Sequence, residues 1–144
     1  MSNSFSIHHD LMIVVPVEKV YNAITLPEHL NNWWTLQCTG EPTTGATYNL
    51  FFSEDYNWFA EVTIADKPYH FELKMTKADE DWNPTTFGFR LQEVEDRTLL
   101  QFYHINWPEC NHHFRRSSFC WAMLLNGLKN YLEKEIIIPF NERE

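Results

Sequence analysis

The stretch spanning residues 115–135, RRSSFCWAMLLNGLKNYLEKE, limits what this chain can fold into more than any other. Cys120, Trp121, Leu124, Leu125, Leu128, Tyr131 and Leu132 recur at steps of three and four and form one broad apolar stripe. Arg116, Asn126, Lys129, Asn130 and Lys134 take the opposite side and suit water. About twenty residues rising roughly 1.5 Å each make a rod of about 30 Å, the width of a small domain. Such a stripe has to be covered, and the rest of the chain supplies strands to cover it.

Residues 5–14 alternate, with Phe5, Ile7, His9, Leu11 and Ile13 on one face, as in a half-buried strand. Pro16 suits the first turn of a helix that buries Val20, Ala23 and Ile24. Pro27 opens a second short helix carrying Leu30, Trp33 and Trp34, so the pair reads as a V rather than one rod. After a turn-rich break at residues 39–45 come alternating runs at 46–53, 56–65, 69–76, 85–94 and 97–105. Their apolar faces are Tyr48, Leu50, Phe52; Trp58, Ala60, Val62, Ile64; Phe71, Leu73, Met75; Phe87, Phe89, Leu91; and Leu100, Phe102, His104. Glu61 and Glu72 fall on the opposite, wet face. Short connectors between alternating strands mean antiparallel neighbours with one face in water. A twisted sheet of this kind curls, and one straight helix does not fill its concave side. Space is left between them, closed at one end by the two short helices.

At 144 residues the chain reads as a single domain, residues 1–144, large enough to fold without a metal or disulfide staple. Its net charge of −9 disfavours nucleic acid and anionic membranes as partners. No run of about eighteen apolar residues points to membrane insertion. The first residues have neither the basic start nor the apolar core of a signal peptide. Cys38, Cys110 and Cys120 are odd in number and unpatterned, which reads as reduced thiols and a cytoplasmic location.

Three stretches carry a family resemblance. VPVEKVYNAITLPEHLNNWWT (15–35) has a Pro-started helix, a Val-aromatic pair, a Thr-x-Pro corner and a terminal Trp. FAEVTIADKPYHFEL (59–73) looks like a central hairpin. RTLLQFYHINWPE followed by FCWAMLLNGLKNYLEKE looks like a last strand ending in His and then a long helix with Trp, paired Leu and a Tyr-Leu-Glu finish. In this order they resemble the START-like (SRPBCC, helix-grip) superfamily and, within it, the family of the activator of the 90-kDa heat-shock protein ATPase. The resemblance covers nearly the whole chain. It implies an α+β fold like that of the birch-pollen allergen: a curved antiparallel sheet wrapped around a long C-terminal helix, with two short helices after the first strand. Cys120 and Asn106 stand where the family often has glycine.

A binding cavity is the expected function. The aromatic share is 16%, with six Trp and eleven Phe, more ring surface than a small core needs. Trp33, Trp34, Phe52, Trp58, Phe71, Phe87, Phe89, Phe102, His104, Trp121 and Leu125 are the candidate lining for a lipid-like or polycyclic aromatic ligand. Along the helix, Leu124, Leu128 and Leu132 are assigned to the sheet, and Trp121 and Leu125 to the open space. Two roles are available to His104: orienting a ligand or moving a proton, and tying strand to helix. The tether is preferred, because no partner carboxylate is legible.

Cys110, His112, His113 and Cys120 lack a second matching pair, and His8-His9 point to opposite strand faces, so no metal is expected. There is no nucleophile elbow and no phosphate loop, and with only four Gly no nucleotide cofactor is expected. An enzyme of cyclase, dehydratase or hydrolase type remains an alternative and would recruit His9 or Tyr48 beside His104. A chaperone-activating module is another. Against it, the full activator, as the resemblance implies, carries a separate N-terminal chaperone-binding domain that these residues do not include, so chaperone binding is doubtful. The apolar tail at 136–140 leaves a homodimer open.

Overall fold

The computed structural model describes residues 4–79 and 81–143. The chain runs β1 (Phe5–Ile13), α1 (Val17–Thr25), α2 (Pro27–Trp33), β2 (Gln37–Thr39), β3 (Thr47–Phe51), β4 (Asn57–Asp66), β5 (His70–Lys77), β6 (Thr86–Val94), β7 (Arg97–Trp107), α3 (His112–Lys134) and a short 3₁₀ turn at Phe140–Glu142. The strands form one sheet in the order β1-β7-β6-β5-β4-β3-β2, and every neighbouring pair is antiparallel. The curled sheet, the V of short helices and the long C-terminal helix of a helix-grip fold are all present.

Local chemistry sets the helix boundaries. Leu26 is extended (φ −78°, ψ 128°) because Pro27 follows it, so it ends α1 and starts α2 at one residue. α3 begins earlier than periodicity alone suggests. The Asn111 side chain accepts the Phe114 N–H at 3.0 Å and recruits a further turn that carries His112 and His113. At its other end Glu135 turns left-handed (φ 56°), with Lys134 in the last turn.

Two bulges rearrange strand faces that simple alternation assigns differently. On β4, Val62 pairs with Leu73 but Ile64 pairs with Glu72, so one extra residue lies between them. Ile64 therefore leaves the face of Ala60 and Val62, and Ala65, opposite Phe71, packs on the core in its place. On β7, His104 pairs with Ile7 while Trp107 pairs with Phe5. Asn106 takes a left-handed conformation there (φ 69°), which Asn tolerates better than most residues. The strand continues past residue 105, and His104 and Trp107, three apart, are both fully buried. A glycine is not needed at this bulge.

The core lies between the concave sheet face, α1, α2 and α3. Phe71, Phe87, Phe89, Phe102 and Trp121 are fully buried in it. α3 runs closest to β1, α1 and α2. The far half of the sheet, β3 and β4, is thus left without a helix directly above it. On the outer face Tyr103 lies flat over Gly88, where no side chain blocks it, and its hydroxyl donates to Glu72 and accepts from His70, both at 2.7 Å. Glu72 also accepts from Thr63 at 2.7 Å, so it is tied into a network rather than simply solvated.

Candidate functional site

A cavity of about 490 Å³ opens where α3 stops covering the sheet. Its floor is Phe52, at the end of β3, and Trp58 of β4, whose ring centroids are 5.1 Å apart. Trp34, just past α2, closes the inner side, 5.6 Å from Phe52 and 5.0 Å from Trp121. Trp82, in the turn between β5 and β6, forms a second wall, 4.7 Å from Trp58 and stacked 6.0 Å from Trp121. The roof is one face of α3: His113, Arg116, Ser117, Cys120, Trp121 and Leu124. The C-terminal tail folds back to supply Phe140, 6.5 Å from Phe52, and Arg143.

The structure brings only part of the expected lining to this space. Trp34, Phe52, Trp58 and Trp121 are on the wall. Trp33, Phe71, Phe87, Phe89, Phe102, His104 and Leu125 are in the packed core beneath it. The stripe of α3 is turned relative to the sequence reading. Leu125 is sealed in the core and Leu124 faces the cavity, because the helix leans toward β1 and α1 rather than over the middle of the sheet. Trp33 is held away by its indole N–H, which donates to the Ala23 carbonyl at 2.9 Å.

Several wall residues escape strand and helix periodicity. Trp82 sits in a connector, yet its turn is rigid: Trp82 and Asn83 N–H both donate to the Asp79 carbonyl, and Asn83 Oδ1 accepts from Ala78 N–H. A tryptophan inside a turn-forming run is the one signal that could have marked it. His113 donates through Nδ1 to Asp81 Oδ2 at 3.0 Å, which ties the start of α3 to the same turn. Arg143 carries no sequence signal at all.

His104 is the centre of a closed chain of hydrogen bonds. Trp121 Nε1–H donates to His104 Nδ1 at 3.1 Å. Nδ1 therefore carries a lone pair, and Nε2–H donates to Thr85 Oγ1 at 2.8 Å. Thr85 in turn donates to the Trp82 carbonyl. Helix, last strand and turn are joined through one imidazole. Burial, reinforced by the charge His113 would carry, pushes its pKa down to about 3, so the ring is neutral. Neither nitrogen is left for a substrate. His9 donates to the Ser118 carbonyl at 3.1 Å, and Tyr48 donates to the Thr25 carbonyl, so neither joins His104 in a proton-transfer group.

Among the described residues no three His, Cys, Asp or Glu side chains converge as metal ligands, and the cysteines form no disulfide. Cys110 is exposed, Cys120 is on the cavity wall, and burial pushes the Cys38 thiol up to about 12. What the arrangement can do chemically is desolvate an apolar body between indole and phenyl rings, with a few polar groups at one rim.

Comparison with known proteins agrees with this architecture. No curated protein matches the chain. Among solved structures, the Aha1 dimer from Colwellia psychrerythraea is 29% identical, with a TM-score of 0.82 over 90% of this chain and 97% of that one. CalU16 from Micromonospora echinospora (20% identical, TM-score 0.75, covering 97% of this chain and 83% of that one) shares the fold. So does protein BH1534 from Bacillus halodurans (21%, TM-score 0.77, covering 92% and 100%). The family model for "Activator of Hsp90 ATPase homolog 1-like protein" matches residues 14–133, and the chain belongs to that family.

Proposed function

We propose that this chain binds a small apolar ligand, lipid-like or polycyclic aromatic, in the cavity between β3–β4 and α3. The observation that carries the reading is the cavity itself. Its volume of about 490 Å³ falls within the roughly 300–1,000 Å³ of small-molecule sites, and its walls are the rings of Trp34, Phe52, Trp58, Trp82, Trp121 and Phe140. Rings packed on one another hold such a wall open, because each ring already has its partners before a ligand arrives. His104 serves as a strut that fixes Trp121 and Trp82, so binding rather than turnover is the role it supports. The test is a fluorescence titration with the neutral probe pyrenebutanol on the wild type and on Leu124→Trp, which fills the cavity from the helix side. Saturable one-to-one binding that Leu124→Trp removes, at unchanged circular dichroism, is the expected result. No saturable binding to the wild type would sink the reading.

A second, compatible role is self-association. The relative from Colwellia psychrerythraea, at 29% identity, was solved as a dimer. Here Phe119 (65% exposed) and Met123 (40% exposed) are four residues apart on the outer side of α3, an apolar pair with no cover. Sedimentation of the wild type is expected to show a dimer that Phe119→Glu dissociates. A monomer at high concentration would refute it.

A further inference from the structure

Arg143 is an unusual component of an apolar cavity. It is nine-tenths buried, at 9% exposure, and it lines the space beside Phe140 and Leu124. Its guanidinium is fixed at three points. Nε donates to the Ile138 carbonyl at 2.8 Å, Nη1 to the Thr35 carbonyl at 3.2 Å and Nη2 to the Asn31 carbonyl at 3.0 Å. All three acceptors are neutral. Among the described residues no carboxylate pairs with it. A buried charge normally has a counter-charge, because neutral acceptors recover only part of the lost hydration. Three bonds also leave two of the five guanidinium N–H groups open to another acceptor.

The same contacts explain why the charge does not swing out to water. Ile138 precedes the 3₁₀ turn, and Asn31 and Thr35 belong to α2 and the residues after it, so Arg143 clamps the C-terminal tail onto the V of short helices. A side chain held this rigidly presents its remaining donors in a fixed direction at little entropic cost. The rest of the cavity rim carries Arg116, and His113 is already paired with Asp81. The one carboxylate on the wall is Asp79, which belongs to the turn of Trp82 on the β5–β6 side.

We infer that the cavity selects an amphipathic carboxylate, its apolar body among the tryptophans and its anionic head on the Arg143 guanidinium. This rests on the cavity-binding reading and adds the chemical class of the ligand. The ligand supplies the counter-charge that the protein withholds. A charge-assisted, potentially bidentate contact of this kind favours the acid over its neutral isostere by about tenfold or more. The overall charge of −9 works against long-range attraction of an anion. The preference is therefore short-range and appears in dissociation rather than association.

The experiment compares two probes with the same body, pyrenebutyrate and pyrenebutanol, by fluorescence titration at neutral pH on the full chain. Wild type is expected to bind the acid about tenfold more tightly than the alcohol. Arg143→Met is expected to bring the two to parity by weakening the acid and leaving the alcohol unchanged, and Arg143→Lys to recover part of the difference. Equal affinities in the wild type, or a preference that survives Arg143→Met, would overturn the inference while the cavity reading stands. Binding of neither probe would remove both. Should Arg143→Met lose its folded spectrum, the wild-type ratio of acid to alcohol decides alone.

Discussion

The substitution His104→Phe separates a structural imidazole from a reactive one. A phenyl ring keeps the packing against Trp82 (4.6 Å between centroids) and Trp107 (4.8 Å), but it removes the acceptor of Trp121 Nε1–H and the donor to Thr85. Leaving one buried indole N–H without a partner costs about 1–3 kcal/mol, so a loss of about 2 kcal/mol is expected at about pH 8. The acid side adds a second, independent number. The imidazole titrates at 6.5 when free and at about 3 in the folded chain. A lowered folded-state value means that between those pH values the unfolded chain holds the proton and the native chain does not. The stability His104 confers is complete above about pH 6.5 and is lost as pH falls toward about 3. At about pH 5 the wild type has lost about 2 kcal/mol through this group, and a phenylalanine variant has lost nothing. The gap between the two proteins is therefore expected to close from about 2 kcal/mol at pH 8 to near zero at pH 5. Carboxylates and the other histidines titrate in both proteins and cancel in the difference. Urea denaturation at the two pH values measures it directly. A gap independent of pH would refute the neutral, buried strut.

Two further substitutions probe the scaffold. At Gly88 an added Cβ would overlap the Tyr103 hydroxyl and lie 2.9 Å from the Phe71 carbonyl oxygen, so Gly88→Val must expel Tyr103 from its bonds to His70 and Glu72. Denaturant unfolding is expected to show a loss of about 2 kcal/mol, with ligand binding on the other face unchanged. At Asn106, held at φ 69°, glycine is expected to be neutral or slightly stabilising and valine to cost about 1–2 kcal/mol. Equal stabilities for the two variants would show that the bulge does not impose a left-handed residue.

The fold was legible because its signals are local and repeated. Prolines 16 and 27 place the short helices, period-two alternation places the strands, and the stripe of α3 demands a cover. The short strand β2 carries no such signal: three residues with one buried side chain, Cys38, do not make a period. Face assignments failed wherever a bulge added a residue, at Thr63 and near Asn106, since one extra residue inverts everything after it. The cavity was legible as a class of feature and less so as a set of residues. Periodicity tells which side of an element is apolar, but not whether its neighbour is another side chain or open space. Phe87 and Trp58 have the same pattern, and only the sideways placement of α3 puts one in the core and the other on a wall. Trp82 and Arg143 belong to a turn and a tail, where no period exists to be read.

The central claim, an apolar ligand seated between β3–β4 and α3, is tested most directly at two adjacent leucines. Leu124 faces the cavity and Leu125 is sealed in the core. With methyl-labelled protein and bound pyrenebutanol, nuclear Overhauser contacts from the pyrene protons are expected at the Leu124 methyls and the indole rings of Trp58 and Trp82, and not at Leu125. Contacts confined to the exposed Phe119–Met123 side of α3, or no contacts at any of these groups, would contradict the account.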